Sequence, residues 1–79
     1  MKQVGVECRF GEDGKVKVKK VMLNGRWQPV GQGRQWVDEN GRHVLIMLPN
    51  DEVRELVMQP TTFSWYLVEI GAGRGKTAV

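Results

Sequence analysis

The sequence predicts an all-β protein, built as a small antiparallel barrel or a strongly bent sheet of six to seven strands, of SH3-like or OB-like size. Three observations lead to this expectation. Apolar and polar residues alternate with a period of two, Asn24-Gly25 marks a tight hairpin, and turn residues recur every eight to twelve positions. Residues 1–70 are expected to form a single small β domain, and the glycine-rich segment 71–79 a flexible basic tail.

The first two strands follow from alternation of residue type. Residues 15–19 alternate lysine with valine after a turn at 11–14, but the alternation changes phase at Lys19-Lys20. We expect a β-bulge or a sharp bend there, because it would direct the valines on both sides toward the core. The first strand is predicted over residues 4–10, and its alternating apolar positions are Val4, Val6, Cys8 and Phe10.

The middle of the chain predicts two hairpins. Asn24-Gly25 supplies the two positive φ angles of a type I′ turn, and Pro29 ends the following strand or places it at an edge. Residues 31–34 are expected to form a flexible loop and residues 35–38 a short strand. Residues 39–41 turn the chain into the continuous apolar run 43–48, which predicts a strand covered on both faces or one crossing the middle of a small closed sheet.

The last third of the chain leaves one alternative open. Residues 50–59 suit either a short helix capped by Asn50 or a strand, and the strand is favoured because only about two helical turns fit between the prolines. Residues 61–70 are β-branched and aromatic and predict the final strand. One core is expected to contain Val6, Leu45, Ile46, Met47 and Leu67.

Composition limits the possible functions. With one cysteine and one histidine among 79 residues, we expect no internal disulfide, no zinc site, no cofactor and no enzymatic activity. We find neither a signal peptide nor a membrane span, so a cytoplasmic protein that does not bind membranes is expected. Residues 1–42 carry a net charge of +4 and residues 43–70 a net charge of −3. This polarity fits a protein partner, a homo-oligomer or an anionic partner.

Three apparent motifs are weak. The segment Gly71–Thr77 resembles a phosphate-binding loop but has three residues instead of four between its glycines, with no room for the following helix. Cys8 and His43 suggest a nucleophile and base, although a buried thiol is the more common role for such a cysteine. The acids at 51, 52 and 55 are expected to form a solvated edge.

The best candidate contact residues are cations and tryptophans. Lysines at alternate positions project from one strand face, and tryptophans beside cations can stack the bases of single-stranded nucleic acid. The opposing interpretation is that the lysines guard a sheet edge and the tryptophans belong to the core. The candidates are Lys15, Lys17, Lys19, Lys20, Arg26, Trp27, Arg34, Trp36 and Arg42.

Short motifs spread along the chain carry one resemblance: Asn24-Gly25-Arg26-Trp27, Val30, Trp36, Gly41-Arg42, Glu55-Leu56 and Trp65-Tyr66-Leu67. Through them, residues 10–70 resemble a short bacterial all-β domain of unknown function, which also occurs at the C-terminal end of Y-family polymerase homologues. The resemblance implies a compact β domain and favours a function associated with nucleic acids, but it assigns no active residue. The sequence thus predicts a non-enzymatic binding module, first for protein or self-association and alternatively for nucleic acid.

Overall fold

The computed structural model describes residues 2–68, and the predicted tail 71–79 lies outside them. The predicted all-β class is confirmed for this part of the chain, which contains eight strands and no helix. The strands are β1 (Lys2–Val4), β2 (Val6–Phe10), β3 (Val16–Leu23), β4 (Arg26–Pro29), β5 (Gly31–Asp38), β6 (Gly41–Met47), β7 (Val53–Gln59) and β8 (Ser64–Val68).

The strands form two antiparallel sheets that pack against each other without closing into a barrel. One has the order β1-β8-β7-β6-β5 and the other the order β2-β3-β4. Eight strands replace the expected six to seven because two long segments each contribute to both sheets. At Gly5, whose carbonyl accepts from the Met22 N–H at 2.8 Å, the chain passes from β1 to β2. At Val30, which donates to the Lys19 carbonyl at 3.1 Å, it passes from β4 to β5.

The predicted bulge lies in β3. Lys20 is opposite Glu7, but the next pair is Val18 with Cys8, so Lys19 is the extra residue on this strand. In a regular strand Val18 and Val21, three residues apart, would point to opposite faces. The extra residue of the bulge reverses the alternation, so both point into the core. The change of phase in the sequence is therefore a true structural signal.

Both predicted hairpins form. Asn24 and Gly25 have φ angles of 53° and 78° and connect β3 to β4. In the second hairpin Asp38 pairs with Gly41, and the Asn40 N–H donates to Asp38 Oδ1 at 2.8 Å. Pro29 ends β4 at the edge of the three-stranded sheet, as its missing N–H requires.

The prediction of a flexible loop at 31–34 is wrong, because β5 begins at Gly31. The side chain of Gln32 accepts from the Val18 N–H at 2.7 Å and donates to the Val16 carbonyl at 2.9 Å. Gln35 accepts from the Val16 N–H at 3.0 Å and donates to the same carbonyl at 2.8 Å. These residues, here called the glutamine bridge, replace a neighbouring strand along the half of β3 that β4 does not reach.

The core lies between the sheets, and β6 contributes only one of its faces. Val44 and Ile46 are buried against Leu67, whereas Leu45 is half-buried on the opposite face and Met47 is 45 % exposed. Placing Leu45 and Met47 in one core with Ile46 was therefore wrong, because neighbouring strand residues point to opposite faces. Val6 packs partly buried against the core.

The open alternative at 50–59 resolves as a strand, β7. The final strand begins later than predicted, because residues 60–63 form a turn in which Phe63 has a φ of 57° and donates to the Gln59 carbonyl at 2.7 Å. β8 then begins at Ser64 and places Trp65 in the core, where it is 7 % exposed.

Candidate nucleic-acid interface

The predicted lysines all lie on the solvent side of β3 or beside it. Val16 and Val18 point inward, so Lys17 points outward from the same strand. After the bulge at Lys19, Lys20 also points outward, since it precedes the inward-facing Val21. Lys15, just before β3, is exposed like the other three.

Register brings an unpredicted cation to this surface. Arg9 of β2 is directly opposite Lys17 of β3, and both are exposed. Like charges in opposite positions destabilise a strand pair. Within residues 2–68 the salt bridges connect His43, Asp38, Glu55, Arg54 and Glu52, and none includes Arg9 or a lysine of β3. Among the residues that the structure describes, no carboxylate therefore forms a salt bridge with Arg9 or Lys17.

Trp27 supplies an aromatic group on the same side of this sheet. It is opposite Met22 in the β3–β4 pair. Met22 lies two residues after Lys20 on β3, so both side chains point outward. A Cβ added at Gly5 would be 3.3 Å from the tip of the indole, so glycine lets the ring lie close to the backbone. Trp27 remains 48 % exposed. We call the outward side of β2, β3 and β4, with Arg9, Lys17, Lys20 and Trp27, the basic face.

The remaining predicted contact residues lie elsewhere. Arg26 is exposed and opposite the inward-facing Leu23, at the end of its hairpin. The guanidinium of Arg34 lies over the ring of Trp36 at 4.9 Å, on the five-stranded sheet. Arg42 donates to Gln35 Oε1 at 2.7 Å and to the Gly14 carbonyl at 2.8 Å, so it supports the glutamine bridge. The lysines therefore lie on the same sheet as Trp27, whereas Trp36 lies on the other sheet.

A second polar cluster surrounds His43 on the five-stranded sheet. Its Nδ1 is 2.7 Å from Glu55 Oε2, its Nε2 is 2.8 Å from Asp38 Oδ1, and its ring stacks on Trp36 with centroids 5.1 Å apart. A ring nitrogen this close to a carboxylate oxygen is best placed as a donor, and only the doubly protonated imidazolium has an N–H at both positions. The imidazolium form of His43 is therefore the form that suits both carboxylates.

The pKa values agree with this assignment. Burial lowers the pKa of His43, but hydrogen bonds to Glu55 and Asp38, together with their charges, outweigh it, so the pKa of His43 lies above its ordinary value. The hydrogen bond from His43 is the main reason that the pKa of the Asp38 carboxyl is lowered. Expecting Glu55 to be part of a solvated edge was wrong, since it binds this histidine.

The chemistry of the His43 cluster is that of an ion pair. Both imidazole nitrogens are occupied, and no group of three or more potential ligands within residues 2–68 is suited to a metal ion. Cys8 lies in the other sheet, partly buried against the core, and burial raises the pKa of its thiol. A raised pKa lowers the thiolate fraction, which is the reverse of nucleophile activation.

Sequence reasoning missed Arg9, Asp38 and the two glutamines of the bridge. Arg9 becomes relevant only when the β2–β3 register places it opposite Lys17. Asp38 is two residues from Trp36, and this spacing was the one available signal, because residues i and i+2 of a strand share a face.

No protein-family model, curated protein or solved structure matches this chain. Within residues 2–68 there is no helix long and apolar enough to cross a membrane. Within residues 2–68 this is a small two-sheet β protein whose three-stranded sheet carries the basic face, with Glu7 opposite Lys20 on it. The resemblance to a short bacterial domain stays a prediction.

Proposed function

We propose that this protein is a non-enzymatic binding module that holds single-stranded nucleic acid on its basic face. One observation carries the proposal: Arg9 and Lys17, opposite each other and in no salt bridge within residues 2–68, share a sheet surface with the half-exposed Trp27. A cross-strand pair of like charges is unfavourable by itself. It becomes favourable when a phosphate group lies between the two cations.

The chemistry of the surface favours a single strand over a duplex. Cations along β2 and β3 follow a phosphate backbone, and an exposed indole offers its ring to the face of a base. Base faces are accessible in single strands and covered by stacking in a duplex. The basic face has Trp27 at one side and its cations at the other, which suits a strand running across the sheet.

Salt dependence is the decisive experiment. Binding of a fluorescent oligothymidylate is titrated between about 50 and 200 mM salt, where each phosphate contact contributes a log-log slope of about 0.7. Replacing Arg9, Lys17 and Lys20 by glutamine should flatten the slope and weaken binding. Because the side chains are solvated, the melting temperature should change little.

A matched variant separates the basic face from net charge. Replacing Lys2, Arg34 and Arg54 by glutamine also removes three cations, but all three lie on the five-stranded sheet. This variant should keep the wild-type slope. Equal loss in both triple variants, or no binding at about 50 mM salt, would refute the proposal.

Self-association is the second candidate, and a separate observation favours it. Strand β2 borders the three-stranded sheet and is paired on one side only, by β3, within the described residues. Phe10 at its end is 52 % exposed. An unpaired strand edge with an exposed aromatic residue is a common site of strand addition. Sedimentation equilibrium up to high micromolar concentration tests it, and a monomer throughout would exclude it.

A further inference from the structure

The two edges of the three-stranded sheet differ in how they are protected. β4 has four residues and ends in Pro29, which has no N–H to donate. β2 has five residues and no proline, and within residues 2–68 its second side faces no strand. The edge open to pairing is therefore the edge of β2.

The alternation of an antiparallel pair fixes which backbone groups are available there. The Val18 N–H donates to the Gln32 side chain, so it points away from β2. Cys8, directly opposite Val18, must then direct its own N–H and carbonyl away from β3. The same holds for Phe10, opposite Val16. Among residues 2–68, these groups form the donors and acceptors of a strand edge that no other strand pairs.

The sequence of β2 is complementary to itself. It runs Val6-Glu7-Cys8-Arg9-Phe10, with an acid and a base at equal distances from Cys8 and an apolar residue at each end. In an antiparallel pair centred on Cys8, Glu7 of each copy is opposite Arg9 of the other, and Val6 is opposite Phe10. Opposite charges in these positions stabilise a strand pair.

We propose that a second copy of this chain pairs with β2 edge to edge, in the antiparallel register that places the two Cys8 residues opposite each other. This proposal names the surface and register of the self-association suggested above and rests on it. A two-fold axis through the centre of an antiparallel pair relates the copies, so the contact is closed at two chains.

The pairing also has a consequence for the basic face. The two three-stranded sheets become one six-stranded sheet, and the two-fold axis is perpendicular to it, so both basic faces lie on the same side. A pair of five-residue strands buries less than the roughly 1,200 Å² of a standard interface, so a weak dimer is expected. Because Arg9 of each copy then lies opposite Glu7 of the other, a polyanion that contacts Lys17 and Lys20 of both copies should strengthen it.

Charge exchange tests the register. E7R or R9E alone places like charges opposite each other at two symmetric positions, and we expect about tenfold weaker dimerisation by sedimentation equilibrium. The double variant E7R/R9E restores opposite charges in this register and should recover the wild-type dimer. Circular dichroism of each variant confirms that it is folded.

Crosslinking provides a measurement that needs no charged substitution. Opposite residues of a hydrogen-bonded antiparallel pair have Cα atoms about 5.5 Å apart, within the range that a disulfide spans. Diamide accepts the two electrons and two protons released when two thiols join. Wild-type protein should therefore form a covalent dimer with diamide, and C8S should not.

The outcomes distinguish the two levels of the proposal. If dimerisation is equally strong in E7R, R9E and the wild type, and diamide forms no covalent dimer, self-association is supported but the β2 register is refuted. A monomer at all concentrations would overturn both, while salt-dependent binding of nucleic acid by that monomer would leave the first function intact. Recovery by the double variant, together with crosslinking through Cys8, is the result that supports the proposal.

Discussion

Replacing Gln32 by alanine tests the glutamine bridge, which holds β3 of one sheet to β5 of the other. The substitution removes the acceptor for the Val18 N–H and one of two donors to the Val16 carbonyl. Val18 is 1 % exposed in the folded protein, so its N–H is a buried donor. A buried donor left without a partner costs about 1–3 kcal/mol. We therefore expect the free energy of unfolding to fall by about 2 kcal/mol.

The shared carbonyl makes the two glutamines interdependent. Gln32 and Gln35 both donate to the Val16 carbonyl, so either single variant leaves it one donor and the double variant leaves it none. The double variant should consequently lose about 1 kcal/mol more than the sum of the single losses. If the two glutamines acted independently, the loss in free energy of unfolding of the double variant would equal the sum of the two single losses.

Urea unfolding followed by tryptophan fluorescence measures these losses. For a domain of this size, about 2 kcal/mol corresponds to a fall in melting temperature of about 8–16 °C. Q28A is the matched control, because Gln28 makes one long hydrogen bond, 3.4 Å, to the Leu23 carbonyl. A Q32A loss no larger than that of Q28A would refute the role assigned to the bridge.

Three further predictions follow from packing and charge. W65A should destabilise the protein by about 3–5 kcal/mol in urea unfolding, because Trp65 is 7 % exposed, whereas W27A should cost far less. G41A should destabilise more than G14A, since both glycines have positive φ but only at Gly41 would a Cβ collide with a carbonyl of β7. The folded-state pKa of His43 is raised, so the stability from its charge is complete below about pH 6.5 and is lost as pH rises through the folded pKa, at up to about 1.4 kcal/mol per pH unit. Urea titrations from pH 5 to 9 should show this decline in the wild type and not in H43Q.

Features coded by neighbouring residues were predictable from the sequence. The change of phase at Lys19-Lys20 marked the bulge, and Asn24-Gly25 marked its hairpin, because each depends on a few consecutive residues. The lysines of β3 were also placed correctly on a solvent-exposed side. In each case the local backbone preference and the final fold agree.

Features created by register were not predictable. Gln32 lies between two glycines, so its segment had the composition of a loop, and its partners are 14 and 16 residues earlier in the chain. The opposition of Arg9 and Lys17 depends on the bulge, since without the extra residue Arg9 would face a different position. The His43 cluster requires three adjacent strands to be paired before its charges meet.

The passage of the chain through Gly5 and Val30 has a consequence for how the protein opens. Neither sheet can detach as a unit, because β1–β2 and β4–β5 each belong to both sheets. Separating the sheets breaks the hydrogen bonds at both crossing points, at the Gly5 carbonyl and the Val30 N–H. Protected amide protons in β3 and in β7 should therefore exchange with solvent at one common free energy, as a single cooperative unit.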